Sequence, residues 1–318
     1  MKRTAFLAAS AAGLAVFPAR ARSQSLTKIH IGASANGDSI GALWGVQSGI
    51  FQKYGLDVEV QRMNNGASVT AAVVGGSLEM GKGSLFILIG AHAKSVPIVL
   101  EGASNVYHAE VPDAALVVAK NSSVRTARDL NGKVIAVPSL GDFYAVVTLA
   151  WIDLHGGDSR TLKVLELPNV ATTAAIADGR IDAAMLAEPL LQDSIQSGKC
   201  RILGYPHQAL GSRSLSTAYF CNSTFATQNV AALKRFRKGL DEASAYVNAH
   251  HTEMIPILAK YTDIDIKTVA SMTPNSVGSA ADLLDATLIQ PTIDFAQRYK
   301  SIAKSFPARE MIDPNAFV

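Results

Sequence analysis

The sequence predicts an α/β protein made of two similar doubly wound lobes joined by a two-strand hinge. Three observations carry this. Strand-like and helix-like patterns alternate from Lys28 onward, which requires mainly parallel sheets with helical crossovers. The same order of elements recurs about a hundred residues later. Finally, the second set is entered through residues 104–116 and left through 205–220, so two strands rather than one must cross between the halves.

In order along the chain, KIHIGAS reads as a strand, Asn36 to Asp38 as a loop, and Ser39 to Tyr54 as a helix stopped by Gly55. LDVEVQRM alternates apolar and polar residues and reads as a strand. Asn64-Asn65-Gly66 form a turn, a short helix runs to Gly75-Gly76, LEMGKG is a buried strand, another helix follows, and VPIVLEG closes the set. The second set runs KVIAV, a loop from Pro138 to Asp142, a helix to His155, LKVLEL, a turn at Pro168-Asn169, a short helix, IDAAML and a helix from Glu188. At an offset of 103, Thr70, Ala71, Ala72, Val73, Gly76, Leu78 and Glu79 face Thr173, Ala174, Ala175, Ile176, Gly179, Ile181 and Asp182. Beyond Asn229 the chain is mostly helical, with Leu233, Phe236, Leu240, Ala243 and Val247 forming one apolar face that returns to the first lobe. The expected division is residues 1–21 as an export signal, 27–112 plus 217–318 as one lobe, and 113–216 as the other.

With 318 residues, 48% of them apolar and 17% charged, the chain can bury substantial cores and is neither disordered nor collagenous. No apolar run after residue 26 is long enough to span a bilayer. Lys2 and Arg3 precede an uncharged stretch from Thr4 to Val16, and Ala19-Arg20-Ala21 supplies small residues where a signal peptidase cuts. Cleavage after Ala21 removes three of the 29 basic residues and no acidic one, leaving 26 against 26. The formal charge of +3 therefore departs with the signal, and nucleic acid is not an expected partner.

Cys200 and Cys221 both lie far from the cleavage site, so no lipid anchor is expected and the mature protein should be free in a periplasm. A bond between these two cysteines is allowed there, and both also read as small apolar strand positions. The histidines are scattered and no metal-ligand spacing occurs, so neither a metal nor another cofactor is expected.

Gly37-Asp38-Ser39-Ile40-Gly41 matches the G-x-S-x-G elbow of serine hydrolases and contains the G-D-S string of a second hydrolase family. Both need a histidine poised on the serine. No late D-x-x-H exists: Val247 and Asn248 stand three before His250 and His251. An esterase using Ser39 is the alternative reading, whereas helix capping by Asp38 or Ser39 explains the string without catalysis. GSLEMGKG nearly matches a phosphate-binding loop, but Gly83 stands where Ser or Thr would hold magnesium. In doubly wound sheets ligands gather beyond the carboxyl ends of strands, which selects loops 36–39, 64–67, 83–85, 103–108, 138–144, 168–172 and 187–189. Tyr107, Phe143, Tyr144 and Tyr219 are candidate ring contacts near them, and Asn169 is the polar residue of the 168–172 loop.

The succession KIHIGAS, GIFQKYGLDVEV, NNGASVTAAVVGGSLEMG, AALVVAKNSSVRTARDLNGKVIAV and GRIDAAMLAEP resembles the nitrate/sulfonate/taurine and thiamine-pyrimidine-precursor group of ABC-importer substrate-binding proteins, over residues 28 to about 250. The resemblance implies a type II periplasmic-binding fold, expected to be monomeric, that closes on a small molecule and hands it to a membrane permease without turnover. It places Gly37, Asp38 and Ser39 at the first ligand loop, Asn65 and Gly66 at the second, Gly83 and Ser84 at the third, Ser139 to Tyr144, with Asp142 among them, at the first loop of the far lobe, and Glu188 in a late acidic-proline motif. The chain departs from the group in having no arginine in these loops. Asp38, Asp142 and Glu188 would oppose a full anion unless backbone N–H groups or Lys82 offset them, so a sulfonate, a carboxylate and an N–H-bearing pyrimidine all remain open.

Overall fold

The computed structural model describes residues 26–317 apart from 138, 139, 141, 142, 168 and 189, and only the backbone of 169 and 170. The expected export signal, and with it the cleavage site, lies outside the described residues, as do Pro138, Ser139, Asp142, Pro168 and Pro189.

Ten strands form two five-stranded sheets among the described residues. The first contains β1 (Thr27–Ser34), β2 (Leu56–Met63), β3 (Met80–Ser84), β4 (Ile98–His108) and β10 (Arg213–Asn222), in the order β2-β1-β3-β10-β4. The second contains β5 (Ala114–Ala119), β6 (Val134–Val137), β7 (Lys163–Glu166), β8 (Ala183–Ala187) and β9 (Cys200–Gly204), in the order β7-β6-β8-β5-β9. In each, the first three strands are parallel and the fourth is antiparallel to its neighbours. Each sheet is therefore parallel only where helical crossovers connect its strands, as the alternating pattern requires.

The duplication is visible in the register. Ile31 pairs with Val60 and Met80, while Ile135 pairs with Val164 and Ala183. The repeat offset is thus 104 for the first two strands of each set and 103 for the third. The short helices Gly66–Val74 and Asn169–Ala177 also stand 103 apart. Both lead into a glycine with positive φ, Gly76 at 77° and Gly179 at 69°, a left-handed turn that glycine adopts without a Cβ penalty. Glu79 and Asp182 match for a related reason: each carboxylate accepts the backbone N–H that opens the neighbouring ladder, from His30 at 2.8 Å and from Val134 at 2.9 Å.

Both sheets are covered on two faces. In β5, Ala115 and Val117 enter one apolar cluster while Leu116 and Val118 enter another, so a strand with helices on both sides reads as a continuous apolar run. In the first sheet, Ile29 and Ile31 pack with Phe51, Leu233, Phe236 and Leu240, which places the predicted apolar face of helix Val230–Ala249 against the first lobe. A buried charge cluster fixes that packing: Arg237 bonds Glu101 of β4 and lies 3.5 Å from Asp313.

Two expectations need correction, and the pairing of the two cysteines, left open by the sequence, is answered. The helix expected over 39–54 is broken, because Gly49 takes φ 76° and separates Ile40–Gln47 from Ile50–Lys53. The crossing segments are not continuous strands: β4 ends at His108 and β5 begins at Ala114, while β9 ends at Gly204 and β10 begins at Arg213, opposite His108. Cys200 lies in β9 and Cys221 in β10, in different sheets, and both are buried free thiols.

Candidate functional site

Between the two sheets lies a cleft of about 300 Å³ whose walls come from both. On the first side, Ser34 ends β1 and the loop Asn36-Gly37-Asp38 follows it, Gly66 opens its helix, Lys82, Gly83 and Ser84 end β3, and Asn105 lies in β4. On the second, Asp113 precedes β5, Phe143 and Tyr144 open the helix Phe143–Leu154, Ala187 ends β8 and Glu188 follows it. His207, Ser216 and Thr217 belong to the returning crossing segment and the start of β10, and Met272 and Asn275 come from the C-terminal region.

The first wall is built around a buried ion pair. Lys82 is 2% exposed, and its ammonium bonds the Asp38 carboxylate and, at 2.7 Å, Asn36 Oδ1. Ser104 Oγ donates to the Asp38 carbonyl at 2.6 Å, so the loop after β1 is held by β3 and β4 together. A buried charge needs such a partner, since desolvation of an isolated ion costs several kcal/mol or more.

The second wall carries carboxylates without a matching cation. Asp113 is pushed up to about 6, first by burial and then by the Asp38 charge, with the Asn105 amide opposing. Glu188 is also raised, first by burial and in part by Asp113, while the Gln192 N–H at 3.2 Å and bonds from Thr273 lower it. The two carboxylates belong to one backbone unit, because the Glu188 N–H donates to the Asp113 carbonyl at 2.9 Å. Beside them His207 stacks on Phe143, centroids 4.9 Å apart, and lies 4.7 Å from the Tyr107 ring. Burial pushes this imidazole down to about 3, so it is neutral at ordinary pH.

Of the residues singled out in the sequence, Gly37, Asp38, Gly66, Ser84, Phe143, Tyr144 and Glu188 line the cleft. Ser39, Asn65, Tyr107 and Tyr219 do not. Ser39 is 1% exposed beneath the loop, where its hydroxyl lies beside that of Tyr261. Asn65 caps the helix Gly66–Val74, accepting the Ser68 N–H at 2.9 Å. Tyr107 supports His207 from behind, and Tyr219 is buried edge-on to Phe236. Asn169 begins its helix, and Ser139 and Asp142 fall outside the described residues.

Asp113, His207 and Thr217 were missed individually, although all three fall in the crossing segments that the sequence marked. Met272 and Asn275 had no signal in the sequence. Asn275 lies so close to Gly37 that a Cβ there would meet its Oδ1 at 2.2 Å. Among the described residues, Ser39 makes no hydrogen bond to a histidine and no group of three His, Cys, Asp or Glu could hold a metal ion.

The family described as NMT1/THI5 like matches residues 36–254. A Brucella abortus protein named as a binding protein is 27% identical over 277 residues, covering 83% of this chain and 80% of that one. Among solved structures, the periplasmic aliphatic sulphonate binding protein SsuA from Escherichia coli has a TM-score of 0.76 at 21% identity, covering 91% of this chain and 92% of its own. The periplasmic nitrate-binding protein NrtA from Synechocystis PCC 6803 has a TM-score of 0.72 at 14% identity, covering 91% and 86%. The fold is that of the periplasmic binding proteins.

Proposed function

The chain belongs to the NMT1/THI5-like family, and from that premise we propose that it is the solute-binding component of an ABC importer, capturing a small polar organic ligand between its lobes and delivering it to an inner-membrane permease. The observation that carries this reading is the cleft itself, walled by the strand ends of two duplicated sheets and crossed by two connections. The lobes comprise 27–112 with 217–318 and 113–216, and the mature chain, released by cleavage after Ala21, works as a free periplasmic monomer. Among the described residues no helix is long and apolar enough to cross a membrane, which is consistent with that reading.

Function follows from differential affinity. Ligand groups that touch both walls favour the closed arrangement, and moving from about 1% to 99% closed requires about 5.5 kcal/mol of contacts unique to it. Two contacts already join the lobes here: Tyr299 Oη donates to Asp153 Oδ2 at 2.7 Å outside the cleft, and Thr273 bonds Glu188 at its wall. Ligand-binding roles fall to Gly37, Asp38, Gly66, Ser84, Phe143, Tyr144 and Glu188. Lys82 neutralises Asp38.

The protein turns nothing over on this reading, and Ser39 serves the loop rather than an ester. A thermal-shift screen of sulfonates, carboxylates, pyrimidines and flavins tests it. A ligand at about 100 times its Kd stabilises the fold by about 2.7 kcal/mol. Absence of any shift, or ester hydrolysis abolished by Ser39→Ala, would contradict the proposal.

A further inference from the structure

The charged side chains that the cleft leaves without an opposite charge are all carboxylates. Among the described lining residues Lys82 is the one formal cation, and Asp38 and Asn36 occupy it. His207 is buried and faces the rings of Tyr107 and Phe143. Asp113 and Glu188, by contrast, have no basic partner. A second, independent observation points the same way. Asn105 is 4% exposed, its amide nitrogen is turned to Asp113, and its Oδ1 has no hydrogen-bond partner. A buried carbonyl oxygen without a donor costs about 1 to 3 kcal/mol, which a ligand N–H would recover.

Resting on the solute-binding reading, we infer that the ligand is an organic cation, a protonated amine or amidine on a flat ring, whose N–H groups are received by Asp113, Glu188 and Asn105. The charge balance decides against an anion. With Asp38 and Lys82 cancelling, the open walls present two carboxylates, which repel a sulfonate and attract an ammonium. The rings of Phe143 and Tyr144 border the cleft, with Phe143 stacked on His207, and make this the side to which a flat cation would pack. A cavity of 300 Å³ is about ten water volumes, room for one ring bearing a short polar arm.

The test is calorimetric titration of the mature protein with matched probes: benzamidinium and phenethylammonium against benzoate and benzenesulfonate. The cations should bind more tightly than the anions. Asp113→Asn and Glu188→Gln, each isosteric, should weaken the cations by about tenfold to a hundredfold, the loss expected for a hydrogen bond to a charged group. They should also raise the affinity of the anions, which a merely structural role would not do. Tighter binding of benzenesulfonate, or cation affinity unchanged in both variants, overturns the inference. An anion that binds and draws the lobes together leaves the importer reading intact, as does a folded protein that binds neither class, and either result overturns the inference of a cationic ligand.

Discussion

At the third strand of each sheet, positions 103 residues apart carry Lys82 in one lobe and Met185 in the other, and both side chains are buried. The backbones around them match in strand order and register, yet the first holds an ion pair with Asp38 and the second does not. One residue further on from the strand end the contrast reverses: Leu85 is buried in the first lobe, and its counterpart Glu188 faces the cleft. Duplication has preserved what the main chain needs, including the helix-ending glycines and the carboxylates that cap the ladders. It has left the side chains at the carboxyl ends of the strands free to differ, and those are the positions a ligand meets. One wall is electrostatically closed and the other is open.

The largest effect should come from making the first lobe resemble the second. Lys82→Met leaves Asp38 buried without its cation and should cost about 3 to 5 kcal/mol in chemical denaturation. A loss below about 1 kcal/mol would mean that the pair is not structural. Exchanging the neighbouring small residues is asymmetric. In Gly81→Ala the new Cβ meets Val69 Cγ1 at 2.6 Å and Phe220 Cζ at 2.7 Å, and overpacking of this kind costs about 1 to 3 kcal/mol. The counterpart Ala184→Gly only loosens a strand, by about 0.5 to 1 kcal/mol. Equal costs would remove the distinction between the walls.

Asp113 gives the comparison a pH signature. Its folded pKa, about 6, lies above the usual aspartate value of 3.8, so the folded state takes up the proton first. The stability this contributes is fully present below about 4 and is lost as pH rises through 6, by roughly 1 to 2 kcal/mol once cleft water is allowed for. Asp113→Asn should flatten that part of the stability profile; an unchanged profile would place the carboxylate in an ordinary environment. Tyr299→Phe removes the bond to Asp153 and should shift the closed population by about 1 kcal/mol, read as a larger radius of gyration without ligand. The smallest effect is expected at the cysteines: reductant should leave the melting temperature unchanged, because Cys200 and Cys221 lie in separate sheets as free thiols. A fall in melting temperature would reveal a disulfide.

The architecture was legible because its signals are local and repeated. Period-two strands, glycine-stopped helices and the offset near 103 survive without knowledge of tertiary contacts, and so did the loops at the strand ends, six of whose seven segments reach the cleft through described residues. What failed depended on the direction in which side chains point. Tyr107 and Tyr219 looked like ring contacts, but the pleat turns them into the packing behind the wall. Asn65 and Ser39 carry polar groups in the right loops, but the first is used on a helix cap and the second is buried beneath its loop, away from the cleft. Lys82 appeared as a failed phosphate loop, and only the fold shows that it answers Asp38 across 44 residues of sequence. Met272 and Asn275 reach the cleft from the C-terminal region, where nothing in the local pattern announces a binding segment.

Small-angle scattering of the protein with and without a stabilising ligand, followed by mass spectrometry of that ligand after release, tests most directly whether two lobes close on a guest they do not alter. A smaller radius of gyration at saturation and a ligand recovered at its original mass are the expected results. A bound ligand that leaves the radius unchanged, or that emerges chemically converted, would contradict the account.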